Sequence, residues 1–191
     1  MSRKAIGRFM LNKLGWKIIT PPSEPEKSVI CVAPHTSNYD FFIGKFYYWA
    51  IERKARFLMK KEWFFFPLGI ILKAMGGIPI NRQKNKDSQN KGSTVATMQQ
   101  YFAKPGPRHI AITPEGTRSA NDRWKTGFLR IAIGANVPVQ LAVMDYKKKE
   151  VGVFEVYQPT GDINKDLNYI CSKYNADQAY NPNKFAQNKP R

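Results

Sequence analysis

A chain of 191 residues carrying 31 Lys and Arg against 14 Asp and Glu has a formal net charge of +17. Its 42% hydrophobic content supplies one core, which sets aside a disordered polyelectrolyte and makes a single domain the expectation. No run reaches the ~20 apolar residues that a spanning helix needs, and Cys31 and Cys171 show neither metal-ligand spacing nor a disulfide framework, as expected of inert thiols in a reducing cytosol.

The first residues are basic but lack the continuous apolar core of a secretory signal. Ile6, Phe9, Met10, Leu14 and Trp16 share one arc at helical spacing, with Lys13 and Lys17 intruding on it. Such a helix either lies in a membrane interface or packs on the domain, and the sequence leaves both open. The breaker Thr20-Pro21-Pro22-Ser23-Glu24-Pro25 divides this segment (residues 1–22) from the body (23–174), and residues 175–191, rich in Asn, Gln, Lys and Pro, read as an irregular polar tail.

Within the body, strand patterns at 29–33, 56–60, 77–81, 109–113, 139–145 and 151–158 alternate with helical ones. That alternation predicts an α/β domain, a mixed central sheet flanked by helices. A helix capped by Ser37 or Asn38 runs through Phe41, Phe42, Ile43, Phe46, Tyr47, Trp49 and Ile51, and its apolar surroundings predict deep burial. The block Trp63-Phe64-Phe65-Phe66-Pro67-Leu68-Gly69-Ile70-Ile71-Leu72, bracketed by Lys60, Lys61 and Lys73, is core, the lining of an apolar tunnel, or a segment that dips into lipid. His109 sits within a strand pattern and reads as structural.

Candidate chemistry lies at the ends of the strands. His35 and Asp40 directly follow the apolar run 28–33, and an imidazole with a carboxylate on its far nitrogen is a base with an orienting partner. Amides at the start of the following helix are candidates to stabilise an oxyanion. A second strand leads to Arg82, near Lys84 and Lys86, and a third opens into Glu115-Gly116-Thr117-Arg118. Two guanidinium forks with the amides of Gly116 and Thr117 suit a phosphate monoester.

These residues resemble the glycerolipid acyltransferases, the family typified by 1-acyl-glycerol-3-phosphate acyltransferase. The resemblance rests on ordered blocks: His35-x4-Asp40, Gly77-x4-Arg82, Glu115-Gly116-Thr117-Arg118-Ser119 and Val137-Pro138-Val139, with Lys125-x-Gly127-Phe128 before the last. In the last block the chain departs from the family, continuing Gln140-Leu141 where an apolar residue and proline are usual. The resemblance implies transfer of a fatty acyl group from acyl-carrier protein or acyl-coenzyme A to the sn-2 hydroxyl of 1-acyl-glycerol-3-phosphate, giving phosphatidic acid. His35 would be the base and Asp40 its partner; Arg82 and Arg118 would hold the phosphate, helped by Gly116 and Thr117, while Glu115 binds an acceptor hydroxyl or braces an arginine. No metal or resident cofactor is implied. Direct transfer in a ternary complex is expected, since no serine or cysteine occupies a nucleophile elbow.

The positive charge calls for an acidic partner, and an anionic membrane surface or an acidic carrier fits it, placing the protein in the cytoplasm on the inner face of the cell membrane. An amino-acid lysolipid with a carboxylate is a rival acceptor, and a thioesterase using His35 to activate water is a rival reaction. Nucleic-acid binding is not expected, because the aromatics fall in apolar runs instead of interleaving with lysine.

Overall fold

The computed structural model of the protein describes residues 1–80, 91–119 and 123–186. Six helices and seven strands alternate among these residues: α1 Arg3–Lys13, β1 Lys17–Ile19, β2 Lys27–Val32, α2 Tyr39–Ala50, β3 Arg56–Lys60, α3 Leu68–Ala74, β4 Gly77–Ile80, α4 Lys91–Ala103, β5 Arg108–Ile112, α5 Gly127–Ala135, β6 Val139–Asp145, β7 Glu150–Tyr157 and α6 Ile163–Ser172. The strands form one sheet in the order β1-β7-β6-β2-β5-β3-β4. All neighbours run parallel except β6 and β7, which pair antiparallel across the turn after Asp145. The sheet is therefore mixed, as the alternation predicts. Its unforeseen member is β1, three residues of the segment assigned to the N-terminal helix, which joins the sheet edge beside β7.

Alternation along the central strands sorts side chains onto two unequal faces. Val29 and Cys31 of β2, Ile110 of β5 and Val139, Leu141 and Val143 of β6 turn to the face covered by α4, α5 and α6, and Phe128, Leu129 and Ile170 complete that core. The opposite face carries Ile30, Ala142 and Val153 under α2. There α1 lies across α2, with Leu11 buried against Ile43, Tyr47 and Ala50. The two helices meet closely at Gly7, where a Cβ would stand 2.5 Å from the carbonyl oxygen of Phe46. Of the two readings of α1, the structure shows packing on the domain.

α2 is less buried than its composition predicts. Ile43, Tyr47 and Ala50 are buried, but Tyr39 and Phe42 face outward. Among the described residues α1 and α2 pack on this side, and a cleft opens beneath α2 beside β3 and β5.

His109 is a structural residue: its Nδ1 lies 2.8 Å from the Ser28 hydroxyl on the facing strand, both groups buried. Burial, the largest influence, and the nearby Arg53 charge hold its pKa below the usual 6.5. The unfolded imidazole therefore binds a proton before the folded one does, and this contribution to stability, full above about pH 6.5, is lost as the pH falls toward the depressed folded pKa. Urea midpoints measured across that window should fall toward acid, and His109→Gln should flatten the part of the slope that His109 causes.

Candidate active site

Parallel pairing fixes where the site can form. β2, β5 and β6 are neighbours with their C-terminal ends on one edge, so the loops after them converge there. In such sheets the crevice beyond the strand ends is where ligands bind.

His35 stands in the loop after β2, and Asp40 lies in the first turn of α2. The imidazole Nδ1 is 3.1 Å from Asp40 Oδ2, with the carboxylate buried and the ring partly exposed. Oδ2 already accepts the amides of Thr36 and Ser37, each at 2.9 Å, while Oδ1 accepts the Tyr146 hydroxyl at 2.8 Å. That load on Oδ2 explains why the Nδ1 contact meets the distance of an ion pair without the alignment of a full hydrogen bond. A small tilt of the ring aligns it. Nδ1 is buried, so the edge bearing Nε2 is the exposed one.

The same bonds rule out one expectation. The amides of Thr36 and Ser37 serve Asp40, that of Tyr39 donates to Ser37 Oγ at 3.1 Å, and that of Phe41 donates to the Asn38 carbonyl. These amides at the helix start build the loop and do not form an oxyanion hole. Ser37, not Asn38, makes the side-chain capping bond.

Glu115 lies beneath this loop. It is fully buried, with Oε1 accepting the His35 amide at 2.6 Å and Oε2 accepting that of Ala186 at 3.4 Å. Burial raises its pKa, against the amide bonds and the His35 charge, which lower it. Its oxygens thus hold the backbone that carries the histidine. The Gly116 amide, expected to grip an anion, donates to the Thr113 carbonyl at 3.1 Å. Gly116 has φ +69°, a left-handed conformation that selects glycine, and the flexible end of the Lys125 side chain lies 2.9 Å from where its Cβ would be. Thr117 and Arg118 are exposed on the following turn, at the same sheet edge as His35, with Thr117 Oγ1 accepting the Ser119 amide at 3.2 Å. Arg82, Lys84 and Lys86 lie outside the described residues. Gly77, the first residue of that block, packs so tightly that its Cβ would stand 2.8 Å from the Leu72 carbonyl. Gln140, the departure in the last block, is buried in the second position of β6, remote from this strand end.

Other parts of the site were not read from the sequence. Tyr146 immediately follows β6, and that position at a parallel strand end is a signal that would have found it. Asn181 donates its backbone amide to Thr36 Oγ1 at 3.0 Å and its side-chain amide to the Thr36 carbonyl at 3.1 Å. Ala186 accepts from the Trp124 indole at 2.9 Å. The stretch read as an irregular tail contains two short 3-10 turns and straps the histidine loop. Tyr146→Phe should keep the fold and lower kcat about tenfold, since a hydrogen bond to a charged group contributes about 1.5–3 kcal/mol; steady-state kinetics beside a melting curve check this.

His35 and Asp40 open on a cleft of about 690 Å³ between α2 and the uncovered face of the sheet. Its walls include Val32, Phe41, Gly44, Phe57, Leu58 and Met144, and at its far end Arg53, Lys54 and Arg56 form a basic rim. Asp40, Phe41, Gly44, Lys45, Tyr48 and Trp49 recur along one side of α2, so the cleft follows this helix for ~14 Å at 1.5 Å per residue. The block 63–72 does not line it; the Lys45 ammonium closes part of its side by donating to the Met75 carbonyl at 2.9 Å.

A mixed sheet with a histidine–carboxylate pair at its strand ends, opening on a long and largely apolar cleft, defines an enzyme of the α/β class. The family model described as Acyltransferase matches residues 18–144, and the chain belongs to the acyltransferase family. Among solved structures it is similar to a 1-acyl-sn-glycerophosphate (LPA) acyltransferase, PlsC, from Thermotoga maritima, at 17% identity and a TM-score of 0.54, over 90% of this chain and 75% of that one. That likeness is one of fold. A search of curated protein sequences finds no match.

Proposed function

We propose that the protein transfers a fatty acyl group from a thioester, carried by acyl-carrier protein or coenzyme A, to the sn-2 hydroxyl of 1-acyl-glycerol-3-phosphate, yielding phosphatidic acid. One observation carries the reading: the exposed edge of His35 faces an apolar cleft of about 690 Å³, a size that suits a lipid chain. Its ~14 Å course along α2 is close to the ~15 Å that the chains of one leaflet span, half the hydrocarbon core of a bilayer. The donor's acyl chain lies in this cleft with its carbonyl at His35.

His35 Nε2 takes the proton of the acceptor hydroxyl as that oxygen attacks the thioester carbonyl. Asp40 stabilises the imidazolium, and the Thr36 and Ser37 amides with the Tyr146 hydroxyl hold Asp40 in place. The carbon–sulfur bond then breaks, and the departing thiolate recovers the proton from His35. Arg118 and Arg82 hold the acceptor's phosphate, with the Thr117 hydroxyl as a further donor. Glu115 acts at one remove, through the His35 amide.

No helix among the described residues is long and apolar enough to cross a membrane, so the lipid substrate is met at a surface. The strong positive charge suits the cytoplasmic leaflet.

The test supplies a labelled acyl thioester with lysophosphatidic acid and identifies the product by mass. Phosphatidic acid is the expected product. Acylation of a carboxylate-bearing lysolipid in its place would move the acceptor and leave the mechanism, whereas free fatty acid released with no acceptor present would make the protein a thioesterase.

A further inference from the structure

Among the described residues, exposed apolar side chains are densest in one stretch. Between β3 and β4 the chain forms a 3-10 turn, Lys61–Trp63, and then the short helix α3. Phe64 and Leu72 turn inward, and Gly69 sits against the Phe64 backbone. The residues between them turn outward: Phe66 is 83% exposed, Ile70 63%, Phe65 58% and Ile71 53%. Trp63 is exposed beside them. α1, by contrast, has spent Gly7 and Leu11 on α2 and presents Phe9 and Leu14.

We propose that this hairpin, residues 60–73, is a wedge that inserts Phe65, Phe66, Ile70 and Ile71 into an anionic lipid bilayer and so sets the mouth of the active site against the membrane. The proposal rests on the acyl-transfer reading only for its purpose, since the surface exists whatever the chemistry. Three observations point to lipid. Phe66 is the most exposed residue of the run, and a fluid bilayer is a partner that closes around such projecting side chains. It is flanked by the exposed Lys60, Lys61 and Lys73 with Glu62 as the lone acid of the stretch, a charge pattern complementary to anionic headgroups. Trp63 stands at the border between the lysines and the phenylalanines, where an indole is favoured at a membrane interface.

The topology then gives the orientation a use. β3 and β2 are both parallel to β5, so the turn after β3 emerges at the same sheet edge as His35. The two are linked through rings: Phe57 of β3 lies 5.4 Å from Phe41 of α2, and Phe41 lies 5.7 Å from the exposed Phe42. A wedge seated among headgroups holds the cleft at the depth where a lysolipid hydroxyl resides, and the acceptor reaches His35 without leaving the bilayer.

The experiment is sedimentation with vesicles of phosphatidylglycerol and phosphatidylcholine, together with quenching of tryptophan fluorescence by brominated lipid. The wild type should bind; in a Trp49→Phe background, which removes the part-buried tryptophan of the cleft, Trp63 should be quenched while the buried Trp16 and Trp124 are spared, so adding Trp63→Phe should remove most of the quenching. Phe66→Ser with Ile70→Ser should weaken partitioning about tenfold or more, since each removes a side chain that lipid would bury, and Phe9→Ser should change it little. The double variant should still acylate a short-chain, water-soluble acceptor, which separates loss of membrane contact from loss of chemistry. Wild-type partitioning by the double variant, or loss through Phe9→Ser alone, would overturn the proposal. So would a patch that binds an acidic carrier protein while vesicles are ignored. Binding through the wedge by a protein that transfers no acyl group would uphold this surface and overturn the proposed reaction.

Discussion

His35→Ala should fold and melt like the wild type and lose acyl transfer by about 10²- to 10⁴-fold, the range that a positioned general base contributes. Folding should survive because the bond that ties residue 35 into the structure is its backbone amide to Glu115 Oε1, which alanine keeps. The imidazole itself has one close polar neighbour, Asp40 Oδ2, and that oxygen retains the amides of Thr36 and Ser37 when the ring is gone. The loss should therefore fall on kcat, with KM for the acyl donor near the wild-type value, because the cleft walls are untouched. Steady-state kinetics with both substrates varied, beside a thermal melt, check this. A variant with near wild-type kcat would remove His35 from the chemistry and leave the cleft without an assigned base.

Asp40 is a less clean target, and the reason shows how the site is built. Its two oxygens hold two loop amides, the Tyr146 hydroxyl and the histidine, so any change there disturbs structure and catalysis together. The same economy holds for Glu115, whose carboxylate joins the loop after β2 to the C-terminal strap. Both acids serve the histidine through geometry before they serve it through charge.

What the sequence made legible follows from range. Six of the strands are apolar runs bounded by turn residues, a signal contained in a handful of neighbouring positions. β1 escaped because Lys17–Ile19 is too short to show a period, and it exists through pairing with residues 150–152, far along the chain. His35 and Asp40 were legible because five positions separate them and a helix start brings them together. Glu115 was legible as a site residue, but its bond to the histidine loop was not, because the partner amide is 80 positions away. Asn181 gave no signal, since an Asn-rich stretch near the end of the chain has the composition of an irregular tail. α2 misled through its composition, because apolar residues all around a helix do not say how many neighbours cover it.

Gly44→Phe should abolish transfer from long-chain donors, by about 10²-fold or more, while sparing short-chain ones. Gly44 stands on the cleft side of α2, one turn beyond Asp40, and a Cβ added there meets a single atom within 4 Å, Met144 Sδ at 3.9 Å. A larger side chain is therefore accepted by the helix without a backbone clash, and its bulk must enter the cleft. Helix geometry sets Gly44 ~6 Å along the axis from Asp40, so the ring would block the cleft within its first half and leave the mouth at His35 open. A chain of a few carbons still fits in front of the block, but a longer one must fold back or stay in water, losing about 0.8 kcal/mol for each methylene left unburied. Three methylenes already correspond to more than a tenfold loss. The measurement is kcat/KM for a ladder of acyl thioesters with one acceptor, wild type against variant, with the melt as a control for folding. Equal loss at every chain length would mean that the acyl group lies elsewhere and that the cleft beneath α2 serves another ligand.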